Sequence, residues 1–270
     1  PSVVVEREKV LFGKLNLKNF DCIIPRIPRT YAWYGYILLH MLKDTCYLPI
    51  TPESVILGHN KFLTLVILKE ANLPVPETYL ASSRSVLEKM LNKMKYPVVM
   101  KLLYGSLGRG VMFVDSPESA KSVMDALERF RQPIFLEEFI ENPGEDIRVF
   151  VLGDEVLAAM KRKAKRGERR TNIGIGGKGE MIKSLDPEIE EIAIKAAHAL
   201  GMQICGVDII EGNKGPVIIE ANVNVHFEGL ARATKINVAR EIVKFVLEEG
   251  KKFKKPFLRR LFKWFSKHFI

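Results

Sequence analysis

Three polar residues lie in two strongly apolar runs near the C-terminus, where carboxylates are uncommon. Asp208 belongs to the run 204–210, and Glu220 and Asn222 belong to the run 216–222. Both runs have the composition of buried strands, and the Glu-Gly-Asn-Lys-Gly segment between them predicts a hairpin. A hairpin centred on the lysine of that segment places Asp208 opposite Glu220, with Asn222 on the same face as Glu220.

Two acids in this arrangement need a positive partner. Opposed residues of a hairpin have Cβ atoms roughly 5 Å apart, so the charges of Asp208 and Glu220 would repel each other. Two carboxylates and the amide oxygen of Asn222 are ligands that a hard divalent cation such as Mg²⁺ prefers. The alternative is that the acids cap the hairpin or pair with Lys or Arg elsewhere. The hairpin by itself leaves both interpretations open.

A lysine within a strand and a glycine-rich loop after it could bind phosphate. Lys101 lies in the apolar run 98–103, and the following segment 104–111 contains three glycines. A buried ammonium needs an anion, and backbone N–H groups of such a loop can surround one. The loop is neither a P-loop nor a dinucleotide-binding turn, because a strand and not a helix follows it. The alternative is an ordinary glycine hairpin with Lys101 pointing outward.

A second cationic stretch spans residues 161–170 and leads directly into the glycine-rich segment 171–179. Charge runs are usually solvated faces, so most of these side chains need no function. Arg170 is different because it immediately precedes this glycine-rich segment. It could supply a guanidinium, beside backbone donors, to a phosphoryl group.

The coarse pattern alternates strands and helices, with Pro and Gly at the joints. Predicted strands lie at 21–25, 98–103, 111–114, 134–139, 147–152, 156–161, 204–210 and 216–222. Predicted helices lie at 34–42, 60–71 and 117–131, with another starting at Asp186-Pro187 and a closing one from about Asn237.

Length and composition describe a globular chain. The 270 residues are 47% hydrophobic, which suffices for a core shared by two or three small domains. No apolar stretch approaches the ~18 residues that span a bilayer. Residues 1–9 lack the order of a secretion signal, so a cytoplasmic location is expected.

The excess positive charge is concentrated in one segment. Residues 251–270 contain eight Lys or Arg and no acid, and subtracting these eight from the net charge of +10 leaves +2. A specific nucleic-acid partner is therefore not expected. Apolar residues recur in this tail at helical spacing, which is typical of a helix that lies on a membrane surface or docks a partner. Alternatively, its apolar face packs on the protein body or on a second subunit of a homo-oligomer.

Taken in order, nine short motifs make the sequence resemble the RimK-type α-L-glutamate ligases of the ATP-grasp superfamily. The motifs are His59-Asn60-Lys61-Phe62, Leu73-Pro74-Val75-Pro76-Glu77-Thr78, Pro97-Val98-Val99-Met100-Lys101, Gly105-Ser106-Leu107-Gly108-Arg109-Gly110-Val111, Glu138-Phe139-Ile140, Asp146-Ile147-Arg148-Val149-Phe150, Arg170-Thr171-Asn172, Gly206-Val207-Asp208 and Glu220-Ala221-Asn222. Their order and spacing agree with the family over residues 21–247.

The resemblance implies an α+β chain with the ATP-grasp fold, in which two α+β subdomains grip ATP after a shortened α/β pre-ATP-grasp domain. The implied boundaries are a partial N-terminal domain at 1–58, a small lid subdomain at 59–140, a C-terminal subdomain at 141–250 and the basic amphipathic tail at 251–270. The family generally begins with an additional strand–helix unit, so part of the N-terminus is expected to be missing.

The resemblance also implies nucleotide contacts. Glu138 and Phe139 would form the linker that reads adenine, and Asp146 would contact the ribose. The positions implied for the phosphates and for the flap that closes over them are Lys61, Lys101, Gly105, Ser106, Arg170, Thr171 and Asn172.

For metal and catalysis, the resemblance implies that Asp208, Glu220 and Asn222 hold two Mg²⁺ or Mn²⁺ ions against the phosphates. Arg170 is the candidate for stabilising an acylphosphate, and Arg109 in the flap is a second candidate. The implied reaction joins an amine to a carboxylate with release of ADP and phosphate.

The implied substrates are ATP, glutamate or a related amino acid, and an acidic protein, peptide or cofactor acceptor. The segment 222–229 departs from the family, which usually has small residues and a Pro-Gly turn there. It is similar to LysX-type ligases instead and leaves the acceptor open, with His226 as a candidate for a substrate carboxylate. An alternative function is a non-catalytic ATP-binding regulatory or scaffold protein that docks a partner through the basic tail.

Overall fold

The computed structural model describes residues 3–6, 9–81, 83–103, 110–128, 134–142, 144–171 and 176–268. Strands in these ranges form three antiparallel sheets, and helices pack against them. The predicted α+β class is therefore confirmed.

The N-terminal region combines a small sheet with two helices. Its elements are β1 (Val3–Glu6), β2 (Lys9–Phe12), β3 (Leu15–Asn16), α1 (Ala32–Leu42) and α2 (Pro52–Leu57). The predicted strand at 21–25 is wrong, since the structure has only an isolated parallel bridge between Cys22 and Tyr47 there. Pro25 lacks a backbone N–H, so it cannot donate the next hydrogen bond that would extend this pairing beyond Ile23.

The next region carries a four-stranded sheet. After α3 (Lys61–Glu70), the strands are β4 (Thr78–Ala81), β5 (Val98–Leu102), β6 (Val111–Val114) and β7 (Ile134–Glu138), in the spatial order β4-β7-β5-β6. Helices α4 (Arg84–Leu91) and α5 (Pro117–Glu128) pack on it through a core that includes Leu87, Met100 and Met124. Helix α5 starts at Pro117 as predicted, and its predicted end at 131 lies outside the described residues.

The C-terminal region carries a five-stranded sheet in the order β10-β9-β8-β11-β12. Its elements are β8 (Glu145–Leu152), β9 (Glu155–Lys163), β10 (Lys178–Ile182), α6 (Pro187–Ala199), β11 (Ile204–Gly212), β12 (Gly215–Asn222), α7 (Glu228–Thr234) and α8 (Val238–His268). Helix α6 starts after Asp186 as predicted, because the Asp186 carboxylate accepts the backbone N–H of Glu188.

The two faces of the five-stranded sheet have different roles. One face, with Val149 and Val207, packs against Ala193 and Ala196 of α6. Since side chains alternate along a strand, Phe150 projects from the other face, beneath α7 and α8. Further along that second face the buried residues become polar and include Asp146, Arg148, Arg162 and Asp208. This polar end of the face is where the candidate site lies.

The closing helix predicted from about Asn237 is α8, which starts at Val238. It continues to His268, through the segment predicted as an amphipathic tail. Phe253 within it packs against Tyr47, with ring centroids 6.3 Å apart. Over the described part of the chain, none of the helices combines the length and apolar character needed to cross a bilayer.

Candidate active site

A cavity of about 350 Å³ lies between the four-stranded and five-stranded sheets. Lys61 and Lys101 line it on the side of α3 and β5, and Asp208 and Glu220 line it on the side of β11 and β12. Its volume lies within the range of roughly 300–1,000 Å³ found for small-molecule sites. The cavity therefore places cationic side chains of one region against acidic side chains of the other.

Asp208 and Glu220 are paired directly across the β11–β12 hairpin, as predicted. The turn is shorter than expected, because Gly212 already pairs with Gly215. A ladder without interruption from that two-residue turn would place Ile219 opposite Asp208. A β-bulge next to Asp208 accommodates the extra residue and brings Glu220 into register.

Asp208 is buried, at 1% exposure, and is held by two guanidinium groups. Arg148 Nε donates to Asp208 Oδ1 and Arg148 Nη2 to Oδ2, both at 2.6 Å. Arg162 Nη2 lies 3.0 Å from the same Oδ2. Burial opposes ionisation of this carboxyl, but Arg148 and Arg162 together hold the pKa of Asp208 at about 2. Asp208 is therefore ionised at neutral pH.

Arg162 joins this pair to a second acid. Its Nε and Nη2 donate to the two carboxylate oxygens of Asp146 at 2.6 Å, and the Thr171 hydroxyl donates to Asp146 Oδ2. Burial disfavours the charge on Arg162, but Asp208 and Asp146 raise its pKa above the ordinary value. The carboxylate of Asp146, predicted to contact ribose, thus has Arg162 and Thr171 as partners, and the ribose contact stays a prediction.

Glu220 forms an ion pair with Lys61. Lys61 is the first residue of α3, where the Asn60 side chain caps the helix by accepting the backbone N–H of Leu63 at 3.0 Å. Its ammonium donates to Glu220 Oε1. Burial alone would raise the pKa of Glu220, but Lys61 keeps it below the ordinary value. The start of α3 is thereby linked to the metal-binding candidate on β12.

Lys101 is buried in β5, so the outward-pointing alternative is wrong. Its Nζ donates to Glu137 Oε1 at 2.5 Å and lies 5.9 Å from the centroid of the Phe135 ring. Burial raises the pKa of Glu137, although Lys101 opposes this shift. Glu137 Oε2 is buried without a hydrogen-bond partner among the described residues. Lys101 and Glu137 thus present a buried charge pair, with one unsatisfied acceptor, to the cavity.

The residues predicted to bind metal have the right chemistry but already have protein partners. Asp208 and Glu220 contact guanidinium and ammonium groups, and the amide nitrogen of Asn222 donates to Gly206 O at 3.3 Å. No cluster of three or more His, Cys, Asp or Glu suited to an ion occurs in the described ranges. Two carboxylates and an amide oxygen still fit Mg²⁺, which would share or displace these cationic partners.

The structure brings most of the predicted site residues to one cavity. Its lining contains Lys61, Lys101, Glu138, Phe139, Asp146, Arg170, Thr171, Asp208 and Glu220. The Arg170 guanidinium donates to Glu168 at 2.5 Å. This hydrogen bond, together with those from the backbone N–H groups of Arg170 and Arg169, lowers the pKa of Glu168 to about 2. The predicted flap and phosphate residues Gly105, Ser106, Arg109 and Asn172 lie outside the described residues.

Several site residues were missed by the sequence analysis, among them Arg148, Arg162 and Glu137. Arg148 was quoted only as part of a motif, and Arg162 was assigned to a solvated charge run. A usable signal existed for Arg162, because it follows the buried Met160 by two positions and shares its face of β9. Arg148 likewise precedes buried Phe150 by two positions on β8.

Comparison with known proteins agrees with this fold. The family model for the RimK-like ATP-grasp domain matches residues 58–246. The chain belongs to the RimK-like ATP-grasp family. The predicted resemblance is thus confirmed.

Two relatives of this RimK-like chain carry the same name. A "Probable alpha-L-glutamate ligase" of Legionella pneumophila (strain Corby) is 38% identical over 254 residues, which are 93% of this chain and 84% of the relative. A protein of the same name from Thioalkalivibrio sulfidiphilus is 37% identical over 239 residues, covering 87% of this chain and 79% of the relative. As a member of the RimK-like family, the chain is an ADP-forming ATP-grasp ligase.

Solved structures share the ATP-grasp fold. The RimK domain protein from Sphaerobacter thermophilus is 21% identical with a TM-score of 0.62, covering 81% of this chain and 77% of that one. The ATP-grasp ligase PsnB, complexed with a phosphomimetic variant of its minimal precursor, Mg and ADP, is 18% identical with a TM-score of 0.65. That match covers 82% of this chain and 68% of PsnB. The predicted fold class is confirmed at this finer level.

Proposed function

We propose that this ligase uses Mg-ATP to form an amide bond between glutamate, or a related amino acid, and a protein or peptide acceptor. The observation that supports it best is the opposition of Lys61 and Lys101 to Asp208 and Glu220 across one cavity. Cations and hard oxygen ligands facing each other are what a metal-bound triphosphate requires. The α-L-glutamate ligase names of the relatives support the choice of amino acid.

In this proposal the lysines bind phosphate oxygens. Lys61 and Lys101 each have an acidic partner in the structure, Glu220 and Glu137 respectively. A triphosphate would compete for both ammonium groups and would satisfy them with charge-assisted hydrogen bonds. The lysines therefore exchange a carboxylate for a phosphate when the nucleotide binds.

Asp208, Glu220 and Asn222 are the residues that would hold the metal, as two Mg²⁺ ions or with Mn²⁺ as a substitute. The ions would neutralise charge on the phosphates during transfer. Release of Lys61 from Glu220 frees that carboxylate at the moment when the lysine gains a phosphate partner. Arg148 and Arg162 hold the Asp208 carboxylate in its ionised form, which is the form that binds a cation.

The proposed chemistry is the one that the family resemblance implies. A substrate carboxylate oxygen attacks the γ-phosphorus, the bond to the β–γ bridging oxygen breaks, and ADP and an acylphosphate form. The amine nitrogen then attacks the acyl carbon, phosphate leaves, and the nitrogen loses a proton to give the amide. Arg170, which lines the cavity, would stabilise the charge of the acylphosphate.

ADP release tests this function. The chain is incubated with Mg-ATP, a panel of amino acids including glutamate, and acidic peptide or protein acceptors, and the product is identified by mass. The expected result is ADP formation that depends on both substrates, with the acceptor gaining the mass of the amino acid less one water. ADP binding without substrate-stimulated turnover would contradict the ligase reaction and favour the regulatory alternative.

An Arg170 variant separates binding from chemistry. Arg170→Ala should leave Mg-ADP binding within about threefold while reducing turnover by two orders of magnitude or more, on the order of the effect of removing one transition-state donor. Arg166→Ala is the matched control, because it makes the same substitution at an exposed arginine of the same loop. Equal turnover in the two variants would refute the role of Arg170.

A further inference from the structure

Arg169, the neighbour of the catalytic candidate, packs against two aromatic rings. Its guanidinium carbon is 5.6 Å from the centroid of Phe113 and 5.7 Å from that of Phe139. The two rings contact each other edge to face, with centroids 6.0 Å apart and planes at 84°. Cations at these distances from an aromatic face are attracted by the ring quadrupole. The three side chains line the cavity together.

Arg169 also connects the two sheets that enclose the cavity. It belongs to the loop that follows β9, Phe113 is on β6, and Phe139 immediately follows β7. Arg169 Nη1 further donates to Asp115 Oδ1, just beyond the end of β6, at 2.8 Å. Asp115 is not among the residues that line the cavity. One arginine therefore joins the five-stranded region to the four-stranded region by an ion pair and two cation–π contacts.

We propose that Arg169 is a positioning residue for the nucleotide, fixed by Asp115 and holding Phe113 and Phe139 as one wall of the cavity. This inference rests on the proposed function, because it assumes that the nucleotide base binds at the end of the cavity lined by Glu138 and Phe139. A wall whose rings are already held in place loses less conformational freedom when the ligand binds. Arg169 thereby raises affinity for the nucleotide without contacting the reacting atoms.

Replacing Asp115 tests the proposal, because positioning and long-range electrostatics predict opposite changes in nucleotide affinity. Removing a negative charge near a site for a polyanion should tighten nucleotide binding by simple electrostatics. If Asp115 acts by fixing Arg169, removing its charge should instead weaken binding. The direction of the change in Kd therefore separates positioning from long-range attraction.

Isothermal titration with Mg-ADP measures this change. Asp115→Asn should raise the Kd about two- to fivefold, which is the effect expected if Arg169 loses one exposed cation–π contact. Arg169→Ala should raise it about five- to twentyfold. Arg169→Lys should have an effect between those of Asp115→Asn and Arg169→Ala, because it keeps the charge and loses the planar guanidinium. In the Arg169→Ala background, Asp115→Asn should have no further weakening effect. The KM for ATP should rise in parallel while kcat stays unchanged.

Asp125→Asn is the matched control. Asp125 also pairs with an arginine, Arg84, in the same region, and its side chain is similarly exposed, 57% against 66% for Asp115. This variant should leave the Kd unchanged or slightly lower it. If Asp115→Asn behaves like Asp125→Asn, or if its effect persists unchanged in Arg169→Ala, the inference is overturned. Absence of Mg-ADP binding by the unaltered chain would overturn the proposed function as well.

Discussion

Asp208 on β11 and Arg148 on β8 are cross-strand neighbours and form a bidentate ion pair on one buried face of the five-stranded sheet. The pair shares Asp208 with Arg162, which in turn binds Asp146. The four charges alternate in sign and cancel. Asp208 thus has a structural role in addition to its proposed role at the metal.

The two proposed metal ligands should differ in their effect on stability. Asp208→Asn leaves buried Arg148 and Arg162 without a shared counter-charge, and we expect a loss of about 3–5 kcal/mol in the free energy of unfolding. Glu220→Gln should cost about 1 kcal/mol or less, because the side chain is 31% exposed and its partner Lys61 can reach solvent. Urea denaturation measures both.

Both variants should lose Mg²⁺-dependent ADP release, provided that each is assayed under conditions where it remains folded. Circular dichroism at the assay temperature supplies that control. Turnover at the level of the unaltered chain in either variant would refute the assignment of that residue as a ligand. Equal stability losses in the two would contradict the structural role of Asp208.

The low pKa of Asp208 predicts a pH dependence of stability. With a pKa of about 2 in the folded chain and an ordinary value of 3.8, the unfolded state binds more protons between these values. The stabilisation from ionised Asp208, about 2 kcal/mol, is thus present above pH ~4 and lost as the pH falls toward ~2. Urea midpoints over this range should show the stability gap between the unaltered chain and Asp208→Asn narrowing with acid. A constant gap would contradict the assignment.

Lys101 and Glu137 allow nucleotide affinity to be separated from stability. Lys101→Met removes a proposed phosphate contact and leaves Glu137 buried without its cation, so both ATP affinity and stability should fall. Adding Glu137→Gln removes the unpaired charge and should recover most of the stability. The KM for ATP should remain raised by about tenfold or more in the double variant, as expected for a lost charge-assisted contact. Recovery of the KM as well would show that Lys101 has only a structural role.

The tail should be dispensable for catalysis if the contact made by Phe253 is kept. A chain ending at Phe253 retains its ring packing on Tyr47 and should keep the turnover of the full chain. Ending the chain at Gly250 removes that contact and should lower the thermal midpoint by a few degrees, as a loss of about 1 kcal/mol would. Complete inactivation of the chain ending at Phe253 would place the tail in the catalytic unit.

The sequence predicted local features well where a few neighbouring residues decide them. The start of α6 follows from Asp186 and Pro187, and the strand containing Lys101 follows from its apolar neighbours. It failed at 21–25, where strand composition was present but a pairing partner existed only at Cys22. Strand formation requires a neighbouring strand, and a single sequence does not reveal which segment is near.

What the sequence determined by itself was the inventory of chemical groups and their family order: acids in apolar strands, a lysine before a glycine loop, and an arginine at the start of another. Tertiary structure decided the partners of those groups. The bulge beside Asp208 sets its register with Glu220. Arg162 contacts two acids from β9, which does not pair with either strand of the β11–β12 hairpin. Because burial makes each unpaired charge costly, these long-range pairings fix which groups are ionised and where, and no local pattern contains that information.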